Sequence, residues 1–203
     1  MYKNLFLESS PKQGKSTLLL NCIASHLQDG AGFFCQRLID DCGLTVAYRL
    51  VAPESAEPLN RGYDKELPGI FLSFIGNKIT KDQDVFEKTA ISCLQAAKDK
   101  TGRKKKFILM DEIGGIELLN TKFIRAVYDA LQGELPCIGV VKARQSLLNM
   151  VASNMISPKC IEVGEKLRKV IYGDGRGQII TFCRETSEQT EDEVRRFIEA
   201  IYT

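Results

Sequence analysis

The residues of this chain best suited to chemistry lie in a polar turn near its start. The turn reads Glu8-Ser9-Ser10-Pro11-Lys12-Gln13-Gly14-Lys15-Ser16-Thr17. A phosphate-binding loop needs backbone N–H groups that converge on an anion at a helix N-terminus, where the helix dipole favours negative charge. It also needs a Lys that reaches the outer phosphates and a hydroxyl that binds Mg²⁺. Gly14, Lys15 and Ser16 fit these needs. The phosphate-binding residues we expect are Ser10, Pro11, Lys12, Gln13, Gly14, Lys15, Ser16 and Thr17.

The turn departs from the pattern G-x-x-x-x-G-K-[ST] at its first position, where this chain has Ser9. A side chain at a position that demands a positive φ costs roughly 1–3 kcal/mol. An ordinary polar turn between a strand and a helix therefore remains an alternative.

A second candidate feature is a pair of acidic residues, Asp111 and Glu112, directly after the apolar run 107–110. Ligands bind at the carboxyl ends of strands in open α/β sheets. An acidic residue at this place can hold Mg²⁺ through its water shell, and a following Glu can polarise the attacking water. We therefore predict Ser16 and Asp111 as metal-binding residues and Lys15 and Glu112 as catalytic residues. A solvated turn is the alternative for the acidic pair alone.

Charge that develops on the γ-phosphate in the transition state usually needs an additional cation. Arg144 is our first choice as a catalytic residue, because it follows the apolar run 136–141 near the predicted carboxyl edge. The other candidates are Arg37, Arg125 and Lys142. For each of them, a solvated surface base is the alternative.

Apolar runs and helical spacing predict the elements that must position these residues. Strands are predicted over residues 2–7, 32–39, 44–52, 70–75, 107–110, 136–141, 159–163 and 178–183, and helices over 15–27, 84–98, 121–131, 146–154 and 191–202. Residues 53–68 are expected to form a loop or lid, and 100–106 a basic connector. Beyond residue 76, buried strands alternate with helices, which is typical of a parallel sheet wrapped by helices. We expect one α/β P-loop domain over residues 1–203, a three-layer α/β/α fold in which 32–76 form an antiparallel insertion.

Composition excludes several classes of function. The 203 residues carry a net charge of only +2, and the basic run at 103–106 has no interleaved aromatic residues, so nucleic acid is not an expected partner. No apolar stretch approaches the roughly 20 residues that span a bilayer, and no signal-peptide core is found. The seven cysteines form no CxxC pair, which disfavours a zinc site. A cytoplasmic protein with reduced, buried cysteines is expected.

Three segments together resemble the thermophilic-type nucleoside-triphosphatase family, which includes the cancer-related nucleoside-triphosphatases. These segments are residues 6–18, Ala31-Gly32-Phe33-Phe34 and Asp111-Glu112-Ile113-Gly114-Gly115-Ile116-Glu117-Leu118, followed by a helix with Phe123, Ala126 and Val127. The resemblance covers roughly residues 3–142, and the D-E-I-G segment is its most specific part. The family's loop has Gly where this chain has Ser9 and Lys12.

The resemblance implies slow, Mg²⁺-dependent hydrolysis of ATP, GTP and other nucleoside triphosphates to diphosphate and phosphate. By position, Lys15 contacts phosphates, Ser16 binds Mg²⁺, Asp111 supports the metal and Glu112 is the base. Two other functions stay open at this point: a kinase that phosphorylates a nucleoside or metabolite under the 53–68 lid, and a nucleotide-binding module without turnover. The sequence indicates neither the preferred base nor the oligomeric state.

Overall fold

The computed structural model describes residues 2–76, 78–98 and 104–203. The described strands are β1 (Asn4–Glu8), β2 (Gly30–Ile39), β3 (Thr45–Val51), β4 (Asn60–Gly62), β5 (Ile70–Ile75), β6 (Lys78–Lys81), β7 (Phe107–Ile113), β8 (Cys137–Val141) and β9 (Gly177–Thr181). The helices are α1 (Lys15–Ile23), α2 (Gln83–Gln95), α3 (Thr121–Gln132), α4 (Arg144–Ala152), α5 (Lys159–Tyr172) and α6 (Ser187–Tyr202). The first four residues of the predicted basic connector lie outside the described residues.

The described strands form one mixed sheet in the order β6-β5-β3-β2-β7-β8-β1-β9, and β4 pairs with β2 beside this path. β1 pairs parallel with β8 and β9, and β7 pairs parallel with β2 and β8. Apolar clusters cover both faces of the sheet. One contains Phe123 and Leu167 from α3 and α5, and the other contains Leu19 and Phe197 from α1 and α6. The predicted α/β class with a mainly parallel sheet between helices is confirmed.

The part of the sheet between β2 and β6 contains more strands than predicted. β2, β3 and β5 pair antiparallel, as expected for a hairpin and a third strand. Two further strands were missed: β6, which pairs with β5, and β4, which pairs parallel with β2 inside the segment predicted as a loop. Both are short and exposed, so they lack the alternating apolar pattern that identifies a half-buried strand.

The strand predicted over residues 159–163 is wrong, because this segment begins the 14-residue helix α5. Ile161 and Val163 suggested a strand when they were considered alone. The buried residues of the helix, however, are Cys160, Gly164, Leu167 and Ile171, which are three or four positions apart and share one helical face. Helix ends also differ from the prediction: α1 ends at Ile23 and continues as a 3₁₀ turn to Asp29, α2 ends at Gln95, α4 spans Arg144–Ala152, and α6 begins at Ser187.

In the part of the chain that the structure describes, no helix is both long enough and apolar enough to cross a membrane.

Candidate functional site

The loop between β1 and α1 is arranged around Gly14 and Lys15. Gly14 has φ 99° and caps the helix, and its carbonyl accepts a 2.9 Å hydrogen bond from the amide of Leu18. A residue with a side chain is strained in this left-handed conformation, so glycine suits the position. The N–H groups of the first helical turn have no partner within the helix and are free to bind an anion.

The side chain of Lys15 lies inside the loop and is only 6% exposed. Its Nζ donates hydrogen bonds to the carbonyl oxygens of Ser9, at 3.1 Å, and Ser10, at 3.2 Å. Burial lowers the pKa of Lys15, against the nearby carboxylates of Glu112, Asp111 and Glu8, which favour the charged form. The ammonium group is therefore held at the loop by backbone carbonyls and faces a cluster of acidic groups.

The backbone strain in the loop falls on Lys12 and not on Ser9. Among the described residues other than glycine, those with a positive φ include Lys12, at 63°, whereas Ser9 is not one of them. Ser9 is buried, and its Oγ donates to the carbonyl of Ser10 at 3.0 Å. The cost that the sequence suggested for a side chain at Ser9 is therefore not incurred there.

Ser16 and Asp111 connect the loop to the end of β7. Ser16 Oγ donates to Asp111 Oδ1 at 2.9 Å, while Asp111 Oδ2 is buried and has no hydrogen-bond partner among the described residues. Burial and the charge of Glu112 raise the pKa of Asp111 to about 7, although the hydrogen bond from Ser16 and the charge of Lys15 oppose this shift. A buried carboxylate oxygen without a partner beside a hydroxyl is suited to a hard divalent cation, which prefers oxygen ligands.

Glu112, the predicted base, is paired with Lys142 just after β8. Lys142 Nζ lies 2.6 Å from Glu112 Oε1, and both side chains are partly exposed. Burial disfavours the charge of Lys142, but the attraction and hydrogen bond of Glu112 outweigh it and raise the pKa of Lys142. The amide of Lys142 donates to the carbonyl of Ile113 at 2.8 Å, so its backbone is fixed to the end of β7.

Glu117 holds the turn that follows the acidic pair. Its Oε1 accepts hydrogen bonds from the amides of Gly114, at 2.7 Å, and Gly115. Gly114 has φ 131°, and a Cβ atom there would lie 2.6 Å from the Cβ of Lys142. The glycine thus allows the turn to pack directly against the Lys142 backbone.

The four candidate cations are distributed unevenly around this site. Arg144 begins α4, its side chain is 64% exposed, and its Nε binds Glu165 Oε1 at 2.7 Å. Arg125 is exposed on α3, and Arg37 is half-buried on β2. The one in contact with Glu112 is Lys142. The role predicted for Arg144 stays a prediction.

Arg168 on α5 was not among the site residues predicted from the sequence. Its Nη2 donates to Glu8 Oε2 at 2.5 Å and to the carbonyl of Lys142 at 2.9 Å. It lies between the predicted strand 159–163 and the predicted strand 178–183, in a stretch to which no helix was assigned. The helical spacing of the apolar residues of α5 is the signal that could have placed it on an inner helical face.

Comparisons with known proteins support one family. The family model described as NTPase matches residues 4–173. The cancer-related nucleoside-triphosphatase homolog of Mus musculus is 31% identical over 135 residues, which are 64% of this chain and 70% of that protein. The nucleoside-triphosphatase THEP1 of Thermotoga petrophila is 27% identical over 140 residues, or 68% of this chain and 71% of the relative.

Two solved structures share the fold over nearly the whole chain. The crystal structure of THEP1 from Aquifex aeolicus has a TM-score of 0.63 at 21% identity, with 97% of this chain and 99% of that chain covered. The solution structure of a human cancer-related nucleoside triphosphatase has a TM-score of 0.62 at 20% identity, with 97% of each chain covered. Since the family model spans most of the chain and the loop and acidic pair lie within the match, this chain belongs to the NTPase family.

Proposed function

We propose that this protein binds nucleoside triphosphates such as ATP or GTP with Mg²⁺ and hydrolyses them slowly to diphosphate and phosphate. The observation that carries the proposal is the 2.9 Å contact between Ser16 Oγ and Asp111 Oδ1, which joins the phosphate-binding loop to the acidic strand end. A P-loop site needs these two parts on either side of one metal ion.

In this proposal, Ser16 and Asp111 hold Mg²⁺. Asp111 Oδ2 is buried and has no hydrogen-bond partner in the described part of the chain, which supports this assignment, because an uncompensated carboxylate in this position is costly without a cation. Bound Mg²⁺ would supply charge that neutralises the β- and γ-phosphate oxygens.

The phosphates themselves would be bound by residues 10–17. Lys15 now donates to the carbonyls of Ser9 and Ser10, and phosphate oxygens can replace these acceptors with a gain in charge. The amides at the start of α1 add donors, and the helix dipole favours the anion. Lys12 in the loop and Thr17 in the first turn of α1 are exposed and are therefore available to a ligand.

Glu112 is proposed to accept the proton of the attacking water. Its contact with Lys142 Nζ at 2.6 Å holds the carboxylate beside Asp111 and keeps a positive charge near the acidic groups. Of the four candidate cations that could stabilise transition-state charge, Lys142 and Arg144 are the two that follow β8. The contact with Glu112 favours Lys142, because Arg144 is bound to Glu165.

The kinase alternative requires residues 53–68 to act as a mobile lid over an acceptor. In the structure, Glu57 in this segment binds Arg49 on β3 and also Arg61, the segment's own arginine. Arg49 is buried and also donates to Gln36 at 2.7 Å. These contacts hold residues 53–68 against the sheet and pair Arg61 with Glu57. Because a kinase would need this segment as a mobile lid, the contacts favour hydrolysis over transfer of the phosphoryl group to an acceptor.

We further propose that the protein works in a reducing compartment such as the cytoplasm. All seven cysteines lie within the described residues and are free thiols there. Cys137 and Cys160 are buried in the apolar core, where they pack as small hydrophobic side chains, but Cys42 is exposed, so burial of the cysteines is borne out only in part.

The test separates binding from hydrolysis for the wild type, Lys15→Ala and Glu112→Gln. With one internal cation and no partner protein, we expect wild-type turnover on the order of 10⁻² s⁻¹ with Mg²⁺. Lys15→Ala should lose nucleotide binding by calorimetry, whereas Glu112→Gln should bind and lose phosphate release by about 100-fold. Lys166→Ala and Glu188→Gln, at exposed positions on α5 and α6, make the same chemical changes away from the site.

Equal phosphate release in all five proteins would overturn the proposal. Tight Mg²⁺–nucleotide binding by the wild type without turnover over hours would instead identify a binding module. Accelerated ATP loss on addition of a metabolite panel would identify a kinase.

A further inference from the structure

The guanidinium of Arg168 meets two separate parts of the proposed site. One nitrogen, Nη2, donates both to Glu8 Oε2 at 2.5 Å and to the carbonyl oxygen of Lys142 at 2.9 Å. Glu8 is the last residue of β1, directly before the phosphate-binding loop, and Lys142 follows the last residue of β8. A single side chain on α5 therefore spans the ends of two neighbouring parallel strands.

Lys142 is the point through which Arg168 can affect chemistry. Its backbone is held from both sides, since its amide donates to Ile113 at 2.8 Å and its carbonyl accepts from Arg168. Its side chain then reaches Glu112 Oε1 at 2.6 Å. A shift of the Lys142 backbone would be passed directly to the carboxylate that we propose as the base.

Glu8 links the same guanidinium to the phosphate-binding side. Its second oxygen, Oε1, accepts from Thr181 Oγ1 at 3.3 Å on β9, so Glu8 is held by two elements from the C-terminal part of the chain. The ion pair is largely shielded from solvent, with side-chain exposures of 13% for Arg168 and 19% for Glu8. Shielded pairs with charge-assisted hydrogen bonds hold geometry more firmly than exposed ones.

We propose that Arg168 is a positioning residue for hydrolysis, which sets the Lys142–Glu112 pair in register with the phosphate-binding loop. This inference rests on the function proposed above. Arg168 does not itself act on the substrate in this proposal, and it acts through the backbone of Lys142. Displacement of a catalytic group by about 1 Å can cost about 100-fold in rate. The hydrogen bond from Arg168 to the Lys142 carbonyl can therefore affect the rate through the position of Glu112.

The experiment is a double-mutant cycle between Arg168 and Lys142, read as steady-state kcat and KM for phosphate release. Arg168→Ala should lower kcat about tenfold or more and leave KM within about twofold. In the Lys142→Ala background, the same substitution should lower kcat less than about twofold, because the group it positions is gone. Arg168→Lys keeps the charge but not the planar guanidinium that places Nη2, and its kcat should fall between those of the wild type and Arg168→Ala.

The control is Lys169→Ala, which removes a positive charge from an exposed position on the same helix and should leave kcat unchanged. Loss of folded protein would lower kcat equally in both backgrounds, so the cycle distinguishes positioning from stability. The stoichiometry of nucleotide binding gives the folded fraction of each variant. If Arg168→Ala does not fold, the cycle is run with Arg168→Lys.

Three results would overturn the inference: a kcat within twofold of wild type, an equal loss of kcat in both backgrounds, or a raised KM at unchanged kcat. The last result would mean that Arg168 contributes to nucleotide binding. Failure of the proposed function is recognised separately, because Glu112→Gln would then release phosphate as fast as the wild type.

Discussion

Ser16 and Asp111, 95 positions apart in the sequence, share a hydrogen bond of 2.9 Å that uses only one of the two carboxylate oxygens. The other oxygen, Oδ2, is buried without a partner among the described residues. A protein retains such a group when function needs it, since its burial costs free energy of folding. We therefore expect the Asp111 carboxylate to favour metal binding and to lower the free energy of unfolding when no metal is bound.

Asp111→Asn should therefore raise the free energy of unfolding at pH 8 in buffer without nucleotide or divalent cation. Burial and Glu112 raise the pKa of Asp111 from 3.8 to about 7 in the folded protein. An acid with a raised folded pKa binds more protons folded than unfolded, so its ionisation lowers stability as pH rises from about 4 to about 7. Each pKa unit is worth about 1.4 kcal/mol. Urea denaturation at pH 4 and pH 8 measures the effect.

The pH series contains its own control, because the two proteins should converge in stability toward pH 4. The more stable variant should also release phosphate at a strongly reduced rate with Mg²⁺. A variant that is less stable than the wild type at pH 8 would contradict the cost assigned to Asp111.

Lys12→Gly should stabilise the protein by up to about 1 kcal/mol. A residue with a side chain in the left-handed conformation costs roughly 1–2 kcal/mol, and the conformational entropy that glycine loses on folding offsets part of the gain. The strain follows from the φ of 63° at Lys12. Thermal and urea denaturation measure the change. Lys12→Ala is the matched control, because it removes the same charge and keeps the strain. Equal stability of the two variants would show that backbone strain is not the cause.

Lys142→Ala should lower kcat by at least about tenfold, because Glu112 loses the contact that orients it. Arg144→Ala should lower kcat by about twofold or less, since its guanidinium is bound to Glu165 on an exposed surface. Phosphate release at saturating nucleotide compares the two. The opposite ranking would assign the transition-state cation to Arg144, as the sequence alone predicts.

Glu117→Ala should destabilise the protein by about 1–3 kcal/mol, because the amides of Gly114 and Gly115 lose their acceptor. Glu117→Gln keeps a side-chain oxygen at the same reach and should retain most of this stability. Denaturant unfolding measures the difference in stability between the two variants. The less stable variant should also have the lower kcat, since the turn lies against Lys142. Equal losses in both variants would show that charge and not the hydrogen bonds holds the turn.

The sequence was most informative where a local pattern and a chemical requirement coincide. Gly14 and Lys15 identified the loop, and the apolar run before Asp111 identified a buried strand, because both signals span a few adjacent residues. The partner of Glu112 could not be derived in this way. Lys142 and Arg144 are two positions apart after the same strand, and tertiary contacts, such as the packing of Gly114 on the Lys142 backbone and the ion pair of Arg144 with Glu165, separate their environments.

Helix α5 shows a second limit. Its first residues include Ile161 and Val163, which favour strands, and the tertiary contacts of Leu167 and Ile171 override that preference. Because residues 159–163 were assigned to a strand and no helix was assigned to residues 164–172, Arg168 could not be placed near Glu8, which is 160 positions away. Contacts of this kind depend on the order of strands in the sheet, which a single sequence does not state.

Because Lys15 Nζ already donates to two carbonyl oxygens of its own loop, these hydrogen bonds affect the rate at which a ligand associates. An arriving triphosphate meets a loop whose cation is already engaged, so the ammonium must change partners after the first encounter. Capture is then an encounter followed by an internal exchange, and the observed rate of association should level off at high nucleotide concentration instead of rising without limit.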